Sequence, residues 1–515
     1  MIINQTQMPG IFASGDLTPK LMDLKAENLI PSLKYIIQFD PVTETIKESC
    51  NAIGIKILDY KYVLEICTEG KEILPNSDSW LTICYTSGTT GNAKGAIITH
   101  NNMLSMINGV KNGVLDIVPE DLYISYLPLA HMLDRAICHY LSGVGAGIGF
   151  YSGDILKLKE DLIALKPTIF VSVPRLFTRF YEGINEMFKS AKGFKGGLLR
   201  KALRAKYKGL TERGEFTHSF WDKLVFNKVR SILGGRVRML MTGSAPIPGD
   251  ILTFLRIVFA CPIYEGYGQT ETCSGSVLTN KSETETGFVG GPVPTLEIKL
   301  IDVPDMNYMT DNVNENGQLE PRGEICMRGK SIFIGYYKSP ELTAEALDSD
   351  GWLHTGDIGA ILPSNGSIKI IDRKKNFFKL AQGEYVAAEK IETVYCKSLY
   401  VGQIFVYGNS LQNYLVAIVV PDEEYVRKKW AHANGYEDNM KFEDICTDLR
   451  LKNEILKDMN RCAKEEGLLG FEIVKKIELE PKMWTNDDLL TPTQKLMRFH
   501  ARNKYQDILD RLYLQ

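Results

Sequence analysis

Between residues 80 and 300, short apolar runs alternate with stretches of helical periodicity. The runs fall at residues 81–85, 122–127, 168–173, 237–241 and 262–264. Parallel strands must be joined by long crossovers, usually helices, so this alternation predicts an α/β architecture with largely parallel sheets flanked by helices. Around residues 297–301 and 323–328 the strands shorten and turns multiply, which predicts a small β-rich subdomain. After Asp372 the pattern shifts again. Residues 404–407 and 415–420 read as strands, and 442–467 as a long charged helical region. The boundary falls directly after a strand, at Ile371/Asp372. It separates a large N-terminal domain, 1–371, from a small α+β domain, 372–515.

Bulk properties narrow the function classes. A chain of 515 residues has room for about three domain-sized units. Its net charge of −3 carries no basic excess pointing to nucleic acid. Ten cysteines are scattered singly, with no zinc or CxxC spacing, so reduced thiols are expected. Residues 1–20 hold no sustained apolar core and read as no secretory signal. The longest uncharged run, 136–153, is marginal for a membrane span. Its glycines, His139 and serines predict a helix end, a turn and a buried strand instead. No internal repeat or low-complexity tract stands out.

Chemistry concentrates in a few segments. Residues 350–392 hold a carboxylate in a tight turn (Thr355-Gly356-Asp357), a strand at 367–371 and a basic cluster (Asp372-Arg373-Lys374-Lys375). Lys379 and a glycine loop at 383–385 follow. Such a run can grip a polyhydroxylated ligand at one end and an anion at the other. Residues 85–95, YTSGTTGNAKG, join one apolar strand to another. Gly88, Gly91 and Gly95 let the backbone expose its N–H groups, Thr86, Ser87, Thr89 and Thr90 add hydroxyls, and Lys94 adds a charge. The loop suits a polyphosphate, yet its spacing is not that of a Walker A loop. A plain Ser/Thr/Gly hairpin would have the same composition. Residues 265–271, EGYGQTE, set Tyr267 between Gly266 and Gly268, leaving a ring face open for a flat ligand. A strand runs into a Gly/Ser turn at 241–246, MTGSAP. His131 sits in LPLAHMLDR, where a lone histidine is more often packed than functional. Lys495 sits in TPTQKLMR near the chain end.

Together these motifs resemble the adenylate-forming enzymes and, more narrowly, the long-chain fatty acyl-CoA synthetases. The resemblance runs from about residue 25 to the C-terminus. GEY at 383–385, with EGYGQTE and KIIDRKK, favours that subgroup over coumarate ligases, luciferases and peptide-synthetase adenylation domains. Ala388 stands where a proline is usual, and little effect is expected.

The resemblance implies an AMP-forming acid–thiol ligase using ATP, Mg²⁺, a long-chain fatty acid and coenzyme A. It gives Ser87, Gly88, Thr89, Thr90 and Gly91, with Thr86 and Lys94, to the β/γ-phosphates. Tyr267, with Glu265, Gly266 and Gly268, goes to adenine; Gly243 and Ser244 go to the acyl-adenylate pocket. Asp357 and Arg373 would hold the ribose, Thr270 a phosphate and Glu271 the Mg²⁺. His131 would lie near the substrate carboxyl group, and Lys495 would bridge carboxylate and α-phosphate. Val173 and Phe177 would border the acyl tunnel, with Phe177 as its gate. The small domain would be mobile and rotate about Asp372, bringing Gly383 into the pantetheine channel and Lys375 and Lys379 to the domain interface.

Two alternatives stay open: an adenylating ligase for another carboxylate, and an inactive, shortened ATP-binding paralogue. Only 84 residues precede Tyr85. The family carries on the order of 100–200 more there, which predicts an uncovered sheet edge or apolar face. The resemblance also implies the cytoplasm, or peripheral association with the cytoplasmic face of a membrane such as the endoplasmic reticulum.

Overall fold

The computed structural model describes every residue except 67–69, 71, 87–92, 383, 438, 487, 492, 493 and 515, and the side chain of Lys375. The chain divides into two compact units, Met1–Asn76 and Ser77–Gln515.

The first unit holds three parallel strands, Gly10–Ala13, Tyr35–Gln38 and Lys56–Asp59, paired in chain order. Helices Thr18–Ala26 and Glu44–Ala52 cross between them. Thr43 and Asp59 cap helices through bonds to the amides of Ile46 and Lys61. The core is Ala13, Ile30, Leu33, Ile36, Cys50, Ile55 and Ile57. Outside it, the rings of Phe12, Phe39 and Tyr60 meet one another, and Phe12 and Phe39 are more than half exposed. The sequence reading places no strand here; unlike the fully buried central strands, each of these is only partly buried.

The second unit is built on a seven-stranded sheet. Five strands are parallel in the order Ile263–Tyr267, Met239–Thr242, Ile169–Ser172, Leu122–Ser125, Gly147–Phe150. The short strands Val277–Leu278 and Gly291–Pro292 extend it antiparallel. Alternation along the central strands serves two cores. Tyr123, Val171 and Met241 face one, with helices His100–Gly113 and Met132–Val144; Ile124, Phe170 and Leu240 face the other, with Pro174–Ser190, Gly193–Arg213 and Gly249–Phe259. The run at 136–153 resolves as expected into a helix end, a left-handed turn at Gly145 and a strand. That strand is a half-exposed sheet edge rather than buried, and Phe150 faces solvent.

Downstream, Leu296–Ile301, Arg322–Gly329, Leu353–Ile361 and Ile368–Arg373 form the expected β-rich layer, fully antiparallel. A last sheet, Val401–Tyr407, Leu415–Pro421 and Val474–Leu479, is covered on one face by helix Leu449–Glu465 and on the other by Arg498–Leu514. The nine described cysteines carry no disulfide. Among the described residues, no helix is long and apolar enough to cross a membrane.

One charge pair sits inside the second core. Lys206, 2% exposed, donates to Asp222 at 2.5 Å, and Asp222 also accepts from the His218 amide at 2.7 Å. Removing one partner strands the other in an apolar setting. Asp222→Ala should therefore lower stability by about 3 kcal/mol in urea denaturation, and a Lys206→Met/Asp222→Leu double substitution should recover most of the loss.

Candidate active site

Four parallel strands end on one cleft. Leu127 and Pro128, Val173, Ser244, and the run Gly268–Glu271 each follow a strand and line a cavity of about 570 Å³. Ligands of open parallel sheets bind beyond the carboxyl ends of the strands, and this cleft has that position. Further segments add to the wall, with Tyr336, Leu342, Glu345 and Ala346 beside them. These segments are Thr86 and Lys94 from the hairpin Trp80–Thr86/Lys94–Thr99, Leu353–Asp357 with Arg373, and Thr491 with Lys495.

Asp357 and Arg373 are cross-strand partners, so pleat and register alone bring them together. Arg373 Nε lies 3.3 Å from Asp357 Oδ1. The other oxygen, Oδ2, accepts from Tyr267 Oη and Gln269 Nε2, both at 2.6 Å. Burial and this carboxylate push the Tyr267 hydroxyl well above the usual phenol range. Burial opposes the charge of Arg373, but Asp357 and Glu389 outweigh it and raise its pKa.

Glu271 sits in the short 3₁₀ turn Thr270–Thr272, whose sharp bend is allowed by Gly268. A Cβ at 268 would lie 1.6 Å from the carbonyl oxygen of Ser274, so no other residue fits that backbone. Tyr336 Oη donates to Glu271 Oε1 at 2.6 Å, and the ammonium of Lys94 lies over the Tyr336 ring. Among the described residues no cluster of three or more Asp, Glu, His or Cys could cage a metal. The donor set is one carboxylate with the Thr270 hydroxyl beside it. That fits a hard, hydrated cation held jointly with ligand phosphates.

Lys495 reaches the cleft from a compact segment. Trp484 Nε1 donates to Tyr505 Oη at 2.7 Å, the Met497 amide to Leu489 at 2.8 Å, and the Thr491 and Lys495 backbones close on each other. Next to it Gln494, at φ 63°, accepts from Arg175 Nη1 at 2.7 Å. Arg175 lies in the first turn of helix Pro174–Ser190, so this bond ties the C-terminal segment to the central sheet's flank. Burial, then repulsion from Arg373, pulls the Lys495 ammonium down to about 8, partly offset by Glu389 and Asp357. His131, at the N-cap of helix Met132–Val144, lines the same cleft. Burial and Lys495 hold its pKa below the usual imidazole value.

The structure therefore gathers Thr86, Lys94, His131, Val173, Ser244, Gly268, Thr270, Glu271, Asp357, Arg373 and Lys495 around one space. Gly243, Gly266 and Tyr267 line a neighbouring apolar cavity of about 80 Å³, walled by Met106, Val110, Ile137 and Tyr140. The two share Leu133, Ser244, Gly268 and Ser274.

Other expected residues lie elsewhere. Phe177 does not line the cleft: its ring is fully buried and meets Phe170 edge-on inside the core, because its helix turns it toward the sheet. Glu265 is buried near Arg256 and away from the cleft, with its pKa pushed up to about 8 by burial. Lys379 is exposed, its ammonium over the Tyr385 ring. Lys375 lies in the short turn Lys374–Asn376. Asp372 is buried and accepts from the Arg373 amide, from Asn376 and from the amide of Glu389, so it caps helix Ala388–Tyr395. Ser87, Gly88, Thr89, Thr90, Gly91 and Gly383 lie outside the described residues.

Sequence reasoning missed Arg175, Gln269, Tyr336 and Gln494. Gln269 and Gln494 sit inside motifs already singled out, and their polarity beside glycine and lysine was the available signal. Arg175 lies between Val173 and Phe177, already singled out, but its role, like that of Tyr336, depends on a distant partner, 319 and 65 residues away.

A family model for AMP-binding enzymes matches residues 1–337. A peroxisomal long chain acyl-CoA synthetase 7 of Arabidopsis thaliana is 43% identical, with 100% of this chain and 72% of that protein covered. Long-chain-fatty-acid–CoA ligase 1 of Homo sapiens is 44% identical, over 99% of this chain and 72% of that protein. The adenylation domain of a carboxylate reductase from Mycobacterium chelonae matches in fold with a TM-score of 0.80 at 27% identity, covering 100% of this chain and 74% of the other.

The depressed pKa of Lys495 can be read directly. Its amine is uncharged, and so nucleophilic, above about pH 8. Selective acylation followed by mass spectrometry should give half-maximal labelling of Lys495 near that pH, while exposed lysines follow at about 10.4. Asp357 favours the charged form, so Asp357→Asn should move the Lys495 midpoint lower still.

Proposed function

This chain belongs to the AMP-binding enzyme family, and we propose that it joins a long-chain fatty acid to coenzyme A at the expense of ATP. The observation that carries this reading is the convergence of Lys495, the Asp357–Arg373 pair, Glu271 and Lys94 on one cleft that adjoins an apolar cavity. Phosphate-binding cations, a diol-binding carboxylate and an apolar pocket are what acyl adenylation needs.

In the first step a carboxylate oxygen attacks the α-phosphorus of ATP and pyrophosphate leaves, giving the acyl-adenylate. Negative charge gathers on the transferring group. The ammonium of Lys495 offsets the repulsion between the two anions and aligns them. Asp357 and Arg373 hold the ribose hydroxyls, and the Tyr267 ring flanks the adenine. Neutral His131 sits where the carboxyl group arrives. Glu271, oriented by Tyr336, would hold Mg²⁺ with Thr270 close by; when bound, the ion neutralises charge on the phosphates. The apolar cavity behind Ser244 and Gly268 receives the start of the acyl chain. In the second step the thiol sulfur of coenzyme A attacks the acyl carbonyl, loses its proton and expels AMP. No side chain becomes acylated.

Lys495 blocks the thiol's approach while it bridges the reactants, so the segment carrying it must withdraw between steps. Residues 372–515 are proposed to move as a small domain about Asp372, with Gly383, Lys375 and Lys379 redeployed toward the incoming thiol. Arg175 and Gln494 hold the adenylating arrangement. The resemblance supports a site of action in the cytoplasm or at the cytoplasmic face of a membrane such as the endoplasmic reticulum.

The two half-reactions separate these roles. The purified chain should release AMP from MgATP only when palmitate and coenzyme A are both supplied; turnover on other carboxylates alone would overturn the substrate class. Lys495→Ala should slow acyl-adenylate formation by roughly 100-fold or more, yet leave thioester formation from supplied acyl-adenylate intact. Arg175→Ala should slow only adenylation, by roughly 10-fold, the worth of one hydrogen bond to a charged group. Equal loss of both half-reactions would count against either assignment.

A further inference from the structure

We propose that the outer face of helix Gly193–Arg213, with the tip that leads into it, docks on an anionic lipid bilayer. Between Met187 and Thr211 the chain holds eight basic residues and no acidic one, although its net charge is −3. Lys206 turns inward to Asp222; the other seven, Lys189, Lys192, Lys195, Arg200, Lys201, Arg204 and Lys208, are exposed.

Helical spacing sets the face. Ala202, Lys206, Gly209 and Leu210 are buried against the core, whereas Arg200, Lys201, Arg204, Tyr207 and Lys208 are exposed on the opposite side. Lys208 lies 3.8 Å from Glu212, while among the described residues no ion pair engages the other six exposed cations. The nearby carboxylates are occupied elsewhere, Glu186 with Lys428 and Glu215 with Arg213. The patch thus presents uncompensated positive charge, which an anionic surface complements.

Apolar groups stand among these charges. Phe194, one turn ahead of the basic stripe, is 89% exposed; Met187 and Tyr207 are about half exposed. An aromatic ring and a thioether held in water next to lysines gain by entering the headgroup boundary, where tyrosine and the long cationic side chains are also at home. A nucleic acid would complement the charge but would leave Phe194 wet, with no stacking platform around it. The bilayer is therefore the favoured occupant. It is also the reservoir from which a long-chain acid would come, but the surface stands on its own and does not rest on the ligase reading.

The test reads binding without ATP or fatty acid. Purified chain is sedimented with phosphatidylcholine vesicles, with or without about 30 mol% phosphatidylserine, across a salt series. Binding should need the anionic lipid and fall with salt. Arg200→Glu/Lys201→Glu/Arg204→Glu should weaken it by roughly 100-fold or more, with the thermal midpoint unchanged because all three side chains are exposed. Phe194→Ser should weaken it several-fold and leave the salt dependence in place. Equal binding to neutral vesicles, or full binding by the triple variant, would overturn the proposal. So would binding to a double-stranded oligonucleotide at equal strength and indifferent to Phe194→Ser, which would mark a general polyanion site.

Discussion

The carboxylate of Asp357 joins parts of the second unit that are otherwise built separately. Its backbone belongs to the antiparallel layer, one oxygen faces Arg373 on the neighbouring strand, and the other accepts from Tyr267 and Gln269 at the end of the parallel sheet. A buried carboxylate is tolerated only when its lone pairs are filled. The requirement works in both directions: the layers must stay in register to keep Asp357 satisfied, and Asp357 fixes where Tyr267 and Arg373 stand. The cleft depends on this knot.

The C-terminal segment shows a different economy. Its own core is secured by Trp484, Tyr505 and the closure of Thr491 on Lys495. The bond from Arg175 to Gln494 ties it to the neighbouring helix near Lys495, and Lys428 pairs with Glu186 farther along that helix. A well-ordered carrier with a light attachment suits a group that must be placed accurately and then removed.

Much of this was legible in the sequence, and the parts that were not share a cause. The central parallel strands announced themselves because both faces are buried and the runs are largely apolar, as in Ile169–Ser172. The β-rich layer followed from shortening strands and multiplying turns, and the Asp357–Arg373 pair from the family resemblance. The strands of the first unit escaped notice because they are half-exposed. Phe177 was misplaced because motif position says nothing about which way a helix turns a side chain. The roles of Tyr336 and Arg175 went unread, since each acquires its role from a partner distant in the chain, 65 and 319 residues away, rather than from its neighbours.

The crowding around Gly268 divides the site into a frozen half and a pliable half. With a carbonyl oxygen where any Cβ would go, position 268 admits one amino acid, and the turn carrying Thr270 and Glu271 inherits that rigidity. The apolar cavity next to it is walled by Met106, Val110, Ile137 and Tyr140, side chains that can be exchanged for others of similar volume without disturbing any backbone. Descendants of such a scaffold can drift toward new acids by repainting those walls, while the nucleotide-facing turn is passed on unaltered.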